Sequence, residues 1–210
     1  THYKQSLERI MENAENEMYK EKALNRESIN SDIFYSMIET LHKKFPEEKR
    51  HSRSVSVLCE KIGTEMQLPE TEVKKLRDAG FVHDIGKIIL DKSILDRTDT
   101  MNEYDEIEIQ QHAVIGYRIL NIFDNTLDLA EGVYSHHENW DGSGYPKGIK
   151  QEEIPLMSRI IAIAEAYDIM TSFKKMTKKE ALEEIENQAG KQFDARIVDI
   201  FVGLMNKKDV

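Results

Sequence analysis

Residues 160–170 read IIAIAEAYDIM, and as a helix this segment would be apolar nearly all the way round. A helix of that kind is normally buried in the middle of a protein. Its two charged residues, Glu165 and Asp168, are three apart and therefore share one face. Two buried acids are costly unless each is paired or bound to a metal ion. The segment predicts a central helix whose acids need partners. The plain alternative is a buried salt bridge with Arg159 or Lys174, and we favour metal ligation by at least one of the two.

Outward from this segment, apolar residues recur at spacings of three and four almost everywhere, which is typical of amphipathic helices. Such stripes occupy 7–18, 33–41, 55–66, 73–82, 107–123, 127–134, 181–185 and 194–204. Pro46 interrupts the pattern, Pro69 opens the next helix, and Asp194 caps the last one. Residues 139–150 form a long loop rich in glycine, and 90–102 is a looser stretch. Because no period-2 strand and no repeat is found, the predicted fold class is all-α.

Composition narrows the range of functions. The chain has 210 residues and a net charge of −10, so binding to nucleic acid through a basic face is not expected. The single cysteine, Cys59, excludes a disulfide within the chain and reads as a small buried hydrophobe. The longest apolar run, Ile160–Ala164, is too short to span a bilayer, and no signal-like segment opens the chain. We therefore expect a cytoplasmic protein without membrane contact. The chain begins at Thr1 without methionine, which suggests a fragment of a longer protein.

Histidines supply the chemistry. The chain has seven, and five of them lie within or at the end of an apolar helical stripe: His51, His83, His112, His136 and His137. One histidine in such a place is usually a core residue satisfied by a hydrogen bond. Five of them close to acids or glycines indicate a shared site.

The stretch 83–87, HDIGK, pairs an imidazole with a carboxylate at the end of a buried helix. An imidazole gives a metal one nitrogen, whereas a carboxylate has two oxygens and can bridge two metals. This pairing suits two-metal hydrolysis of a phosphate ester. Gly86 is expected to end the helix, and Lys87 to direct a cation back toward the site. An ordinary helix end with surface charge is the alternative for this stretch alone.

Together these residues resemble the HD-GYP phosphodiesterases of the HD superfamily, over roughly residues 30–205. The loop motif at 136–146, HHENWDGSGYP, is the most specific part of the match. The other matching motifs, in chain order, are His51-Ser52, His83-Asp84 with Gly86-Lys87, His112 with Gly116, Ile154-Pro155, 164–172 (AEAYDIMTS) and 189–194 (AGKQFD).

The resemblance implies an HD-type helical bundle with two or three divalent metal ions between its helices. It also implies hydrolysis of cyclic di-GMP to linear pGpG, to GMP, or to both. The metal ligands it implies are His51, His83, Asp84, His112, His136, His137 and Glu165. Asp84 would bridge the metals, and Lys87 would contact a substrate phosphate or the attacking water. Nitrogen and oxygen ligands favour iron or manganese.

Residues beside these ligands receive supporting roles from the same resemblance. Gly144 and Tyr145 would shape the substrate side of the site. Glu138, Asp141 and Asp168 would orient imidazoles. Glu47 and Glu48, beside Pro46, are expected to be solvated.

Three positions depart from the usual family pattern. Glu165 stands where aspartate is usual, and Ser54 where arginine is usual. The arginine-proline-tyrosine stretch that commonly follows Thr171-Ser172 is missing, and Lys174 or Lys175 is the candidate replacement for substrate binding. These departures keep two alternatives open: a catalytically weak regulatory domain that binds a nucleotide or a protein partner, and a phosphohydrolase of another cyclic dinucleotide.

The domain organisation predicted is a linker helix at 1–27 and an HD-GYP domain at 28–210. The segment from Ala14 to Arg26 is similar to the final helix of GGDEF (diguanylate cyclase) domains. The expected partners are therefore a cyclic dinucleotide and an upstream GGDEF or sensory domain, with a homodimer left open.

Overall fold

The computed structural model describes residues 30–92 and 103–207. Two compact units divide the chain, residues 1–37 and 38–210, and every side chain discussed below belongs to the second. The predicted linker helix at 1–27 and most of the loose stretch 90–102 lie outside the described residues. No helix within the described ranges is both long and apolar enough to cross a membrane.

Helices make up the described structure, and the all-α prediction is confirmed. In chain order they are α1 (30–44), α2 (Pro46–Glu65), α3 (Glu70–Val82), α4 (Glu103–Leu120), α5 (Leu127–Tyr134), α6 (Leu156–Asp168), α7 (Lys178–Asn187) and α8 (Ala195–Met205). Short 3-10 turns cover Ile85–Ile89, Asp124–Thr126 and Gln151–Glu153, and a π-helical turn covers Ile169–Phe173. The one β feature of the described chain is an isolated bridge between Ala189 and Phe193.

Local chemistry accounts for several helix starts. Pro46 is the first residue of α2, where the missing N–H costs nothing, and Pro69 immediately precedes α3. The Asp194 side chain accepts a hydrogen bond from Arg196 N (3.0 Å) and caps α8. Thr177 and Glu180 form a reciprocal capping box at the start of α7. The predicted boundaries at Pro46, Pro69 and Asp194 are therefore found where the sequence puts them.

Helix α6 is the centre of the bundle. It packs against α2, α3, α5, α7 and α8. Ile160, Ile161, Ile163 and Ala164 have no exposed surface. Burying one large aliphatic side chain in this way contributes about 1.5–3 kcal/mol, so this helix is a substantial part of the apolar core. The consequence for the site is that Glu165 and Asp168 start from a rigid, buried backbone.

Gly86 has a different role from the expected helix cap. It lies inside the 3-10 turn Ile85–Ile89 and has no positive φ. A Cβ at this position would lie 1.9 Å from the carbonyl oxygen of His112 and 2.6 Å from the backbone nitrogen of Gly116. The prediction of a helix-ending glycine was therefore wrong. Glycine is required because the backbone of α4 passes directly over the turn.

Candidate metal centre

Five helices bring the predicted metal ligands to one place. His51 lies on α2, His83 and Asp84 follow the end of α3, and His112 lies on α4. His136 and His137 follow α5, and Glu165 comes from α6. All of these side chains are buried except that of His137, which is 23% exposed. Residues separated by more than a hundred positions in sequence thus line one interior site.

The ligands form two groups. The carboxylate cluster consists of His51, His83, Asp84 and Glu165, and the imidazole cluster consists of His112, His136 and His137. Within each cluster, one nitrogen or oxygen atom from every residue lies within 4.8 Å of the others.

Asp84 lies between the two clusters. Its Oδ2 atom is 3.1 Å from His83 Nε2 and 3.7 Å from His51 Nε2. Its other oxygen, Oδ1, is 3.4 Å from His112 Nε2. One carboxylate oxygen therefore faces each cluster, which is the arrangement that a carboxylate bridging two cations needs.

Hydrogen bonds determine which imidazole nitrogen faces the centre. The Nδ1 atoms of His83, His112 and His136 each contact the carbonyl oxygen three residues earlier, those of Gly80, Ile109 and Val133. When Nδ1–H donates to a carbonyl, Nε2 keeps its lone pair for a metal. The three Nε2 atoms are thereby prepared as ligands.

Unsatisfied atoms indicate that the donor set fits a cation. Within the described ranges, His83 Nε2 and Asp84 Oδ1 are buried and have no hydrogen bond of good geometry, although each has an ion-pair neighbour, Asp84 Oδ2 at 3.1 Å and His112 Nε2 at 3.4 Å respectively. Buried polar atoms are rarely left so, because the loss of hydration is costly. His137 Nε2 also lies 3.0 Å from His112 Nε2. Converging nitrogens and carboxylate oxygens without sulfur are the ligands that iron or manganese binds.

The pKa values differ between the clusters. Burial alone would lower the pKa of His83, but the Asp84 carboxylate raises it to about 9. In the imidazole cluster, burial lowers the pKa of His136 to about 4. Burial likewise lowers the pKa of His112, and it lowers that of His137 further. The imidazole cluster is therefore neutral at physiological pH, which is the state that binds metals.

Lys87 points into the site as expected. Its Nζ atom lies 2.6 Å from Asp84 Oδ2 and 3.0 Å from Glu48 Oε1. Although burial would lower it, these carboxylates raise the pKa of Lys87, so the side chain stays charged. Glu47 is 75% exposed, as expected. The expectation of solvation was wrong for Glu48, which is only 12% exposed because it pairs with Lys87 across the site.

Asp168 has an imidazole partner. Its Oδ2 atom accepts a hydrogen bond from His51 Nδ1 (2.7 Å), and its Oδ1 atom accepts one from Ser172 Oγ (3.0 Å). The alternative pairing with Arg159 is not what the structure has, because Arg159 binds Asp194 (2.8 Å) on the far side of α6. Asp168 therefore contacts His51 as the resemblance implied.

Arg50 is a site neighbour that the sequence reasoning missed. Its Nη1 atom donates to Ser172 Oγ (2.6 Å), and its guanidinium carbon lies 5.1 Å from the centroid of the Phe173 ring. Phe173 in turn packs edge-on against His51, with centroids 5.9 Å apart. Ser172 and Phe173, the two residues that Arg50 contacts, both lie in the π-helical turn. Such turns are frequent at functional sites. The position of Arg50, directly before His51, was the only available signal.

Among the described contacts, the two lysines after the π turn have none with either cluster. Lys174 is exposed at the end of the turn, and Lys175 Nζ donates to Ser172 O (2.7 Å). Substrate binding by Lys174 stays a prediction.

The loop motif holds itself closed. Glu138 Oε1 accepts hydrogen bonds from the backbone nitrogens of Lys147 (2.6 Å) and Gly148 (3.2 Å). Asp141 Oδ1 accepts one from Ser143 N (2.9 Å). Within the ranges that the structure describes, these carboxylates bind groups of the loop and no imidazole, so any effect of theirs on the histidines acts through the loop.

Gly144 and Tyr145 lie against the histidines. A Cβ at Gly144 would lie 2.4 Å from the carbonyl oxygen of His137 and 2.3 Å from Asn139 N, so only glycine allows the loop to close. The ring of Tyr145 stacks on His137, with centroids 4.8 Å apart and planes 27° apart. Beside them a cavity of about 310 Å³ reaches His137 and Glu165. The centre is therefore accessible from this side.

Comparisons with known proteins identify the family of the chain. The family model of the HD domain matches residues 35–197. The chain belongs to the HD domain family. The HD-GYP resemblance drawn from the motifs is confirmed by its relatives.

Two curated relatives are informative. A cyclic di-GMP phosphodiesterase of Thermotoga maritima is 36% identical, over 82% of this chain and 50% of its own length. A 3'3'-cGAMP-specific phosphodiesterase of Vibrio cholerae is 31% identical, over 93% of this chain and 46% of its own. The chain thus spans about half the length of these relatives.

A solved structure has the same fold. The crystal structure of a cyclic GMP-AMP specific phosphodiesterase of Vibrio cholerae superposes with a TM-score of 0.63. The two proteins are 20% identical, and the match covers 82% of this chain and 49% of that one.

Proposed function

We propose that this chain is a metal-dependent phosphodiesterase that hydrolyses a cyclic dinucleotide. The observation that carries the proposal is the position of Asp84, with one oxygen facing each cluster. The proposed ligands are those of the two clusters, and the proposed ions are two or three of iron or manganese. When bound, such ions acidify water and neutralise the charge that builds on a phosphodiester.

The chain's own residues supply the remaining chemistry. The hydrogen bonds of His83, His112 and His136 direct Nδ1 away from the centre, so Nε2 is the nitrogen that would bind a metal. His112 and His136 are already neutral, whereas His83, with its raised pKa, would give up its Nε2 proton on binding. Lys87, held between Asp84 and Glu48, remains cationic and is proposed to contact the substrate phosphate or orient the attacking water. Glu165 lies with its Oε2 atom 3.9 Å from His137 Nδ1, so the longer acid still reaches the centre.

Cyclic di-GMP is the proposed substrate, with linear pGpG, GMP or both as products. The 36% identical relative, which carries that activity in its name, supports this choice. A second candidate is 3'3'-cGAMP, which the relative matching 93% of this chain hydrolyses according to its name. A catalytically weak regulatory domain remains the third candidate, because Glu165 and the short segment after Ser172 depart from the family pattern.

The domain arrangement is also a proposal. Residues 28–210 would be the HD-GYP domain, and residues 1–27 would connect it to an upstream GGDEF or sensory domain. The similarity of residues 14–26 to a GGDEF helix supports this connection.

The test begins with anaerobic loading with Fe²⁺ or Mn²⁺ and determination of metal per chain. The loaded protein is then incubated with cyclic di-GMP, 3'3'-cGAMP and cyclic di-AMP, and products are separated by liquid chromatography. We expect at least two metal ions per chain and turnover of cyclic di-GMP. If only another cyclic dinucleotide is hydrolysed, that compound replaces cyclic di-GMP as the proposed substrate. Stoichiometric metal without turnover of any of the three would favour the regulatory domain, and a protein that binds no metal would overturn the proposal.

A further inference from the structure

We propose that the cavity beside His137 and Glu165 holds one purine base of the substrate, and that the side-chain amides of Asn139 and Gln192 read the edge of that base. This inference rests on the proposed function and deepens it, because it names the residues that would distinguish one cyclic dinucleotide from another.

The size and position of the cavity suit a single base. Its volume of about 310 Å³ lies at the lower end of the range for small-molecule sites. That is room for one flat ring system and not for a whole cyclic dinucleotide. Since the cavity is lined by His137 and Glu165, a base within it would be joined through its ribose to a phosphate at the metal centre.

One wall of the cavity is apolar. Ala162, Ala166 and Ile169 line it, at spacings of four and three residues along α6 and into the π turn. This spacing puts them on one helix face. Two of the three are alanines, which leave room for a ring beside the buried Glu165. A flat apolar wall of this kind suits the face of a nucleobase, and Tyr145 adds an aromatic ring to the lining.

The cavity is also lined by two side-chain amides, those of Asn139 and Gln192. Asn139 Nδ2 donates to Ser143 Oγ (3.0 Å), which orients the amide and leaves its oxygen as an acceptor. Gln192 is exposed, and its side-chain amide has no hydrogen-bond partner in the part of the chain that the structure describes. An amide offers both a donor and an acceptor. Guanine and adenine present opposite donor and acceptor patterns at position 6, so amides can tell them apart.

The two amides are held in a fixed relation. Backbone hydrogen bonds run from Trp140 N to Gln192 O (3.1 Å) and from Asp141 N to Lys191 O (2.9 Å). The Trp140 ring also has guanidinium groups near it, those of Arg159 at 5.7 Å and Arg196 at 5.5 Å. These contacts join the loop to the segment after α7, so the cavity is built before a ligand enters. A prebuilt polar site discriminates better than one that must be ordered on binding.

The test compares Asn139→Ala and Gln192→Ala with Lys191→Ala, a neighbouring exposed residue outside the cavity lining. For each metal-loaded variant, kcat/KM is measured with cyclic di-GMP, 3'3'-cGAMP and cyclic di-AMP. The Kd values for GMP and AMP are measured by calorimetry. We expect each cavity variant to lose about tenfold in kcat/KM for the preferred substrate, mainly through KM, because one hydrogen bond to the base is lost. The preference among substrates should also fall at least threefold, with metal content unchanged.

Each other result has one meaning. If the native protein hydrolyses a cyclic dinucleotide and both cavity variants keep its rates and preference within twofold of Lys191→Ala, the cavity is not the base site and the proposed function stands. If no dinucleotide is hydrolysed but GMP binds and the cavity variants lose that binding, the base site stands and the phosphodiesterase proposal falls. If the native protein neither hydrolyses a dinucleotide nor binds GMP or AMP, both fall.

Discussion

The two metal-ligand clusters lie side by side, yet they differ in charge. The carboxylate cluster contains Asp84 and Glu165 beside its histidines, whereas the imidazole cluster contains histidines alone. The pKa of His83 is accordingly raised to about 9 by its carboxylate neighbour, and that of His136 is lowered to about 4 by burial. Two histidines that are equally buried thus have pKa values shifted in opposite directions.

A carboxylate outweighs burial at His83, whose Nε2 lies 3.1 Å from Asp84 Oδ2, but not at His112, whose Nε2 lies 3.4 Å from Asp84 Oδ1 and whose pKa burial still lowers. The two clusters also differ in how they can stabilise a bound cation. The carboxylate cluster can offset the charge of a divalent cation with its own acids. The imidazole cluster has no acid of its own and borders two oxygens of the carboxylate cluster, Asp84 Oδ1 at 3.4 Å from His112 Nε2 and Glu165 Oε2 at 3.9 Å from His137 Nδ1. Removing parts of either cluster, or of the structure behind it, tests how far they depend on one another.

The largest effect is expected from Asp84→Ala, because Asp84 contacts both clusters. We expect neither cluster to retain metal after anaerobic loading, and turnover to fall by at least about three orders of magnitude. Metal analysis and product chromatography measure the two losses. Asp141→Ala is the matched control, since among the described contacts that carboxylate binds Ser143 of the loop and no residue of either cluster. Full metal content or full activity in Asp84→Ala would show that the clusters do not share this residue.

Gly86→Ala should act on the imidazole cluster through the fold. The new Cβ would overlap the carbonyl of His112, and backbone cannot rotate away as a side chain can. We expect a loss of about 3 kcal/mol in the free energy of unfolding, measured by urea denaturation. Gly203→Ala in α8 is the control. Apart from the backbone of its own helix, no atom of the described residues lies within 4 Å of its added Cβ, so stability should stay equal or rise by up to about 1 kcal/mol. If the two variants were equally stable, the close approach of α4 to Gly86 would not be the reason for glycine at this position.

Asp168→Asn should weaken the carboxylate cluster alone. The variant keeps a hydrogen-bond acceptor for His51 Nδ1 but loses the charge that makes this imidazole a stronger ligand. We expect metal affinity to fall about 10–100-fold at the site that includes His51. Competition with a chelator of known affinity measures this change. The ion at the imidazole cluster is the internal control, and an equal loss at both sites would mean that the clusters are not separable.

Asp194→Asn tests an acid that stabilises the fold and lies outside both clusters. Burial would raise the pKa of Asp194, but hydrogen bonds from Arg196 and Arg159 hold it below the ordinary value of 3.8. The resulting stabilisation is present above that ordinary value and is lost as pH falls through the lower folded-state value. We expect the native protein to be about 1–2 kcal/mol more stable than the variant at pH 7 and pH 5, with the difference shrinking below about pH 4.

The measurement is urea denaturation of both proteins across that pH range. Asp199→Asn, an exposed change on the same helix, is expected to be neutral. Because asparagine still caps a helix well, loss of the cap does not confuse the result. A stability difference that grows as pH falls would contradict the assigned sign.

Much of the molecule was predictable because the relevant signals are local. The spacing of apolar residues predicted helices around Pro46, Pro69 and Asp194, and the segment 160–170 predicted the buried helix that became α6. The residue types at 83–84 and 136–137 predicted a metal-binding chemistry. At Gly86 the sequence indicated an important glycine but not its role. It was expected to end a helix, whereas it is needed because the distant backbone of α4 passes close to it.

What escaped prediction depends on partners far apart in sequence. Glu48 was expected in solvent because its neighbours are polar, but Lys87 draws it into the interior. Arg50 meets Ser172 across 122 positions, and no periodicity encodes such a meeting. Only packing of α2 against α6 brings these residues together.

The amino-acid sequence by itself determined the helical class, the central helix and the set of histidines and acids that can bind metals, because hydrophobic periodicity and side-chain chemistry act within a few residues. Only the tertiary structure decided that these ligands form two clusters, and that Asp84 directs one oxygen to each. It also decided which nitrogen of each imidazole faces inward. These properties follow from distances of a few ångströms between different helices, and such distances are set by how the helices pack.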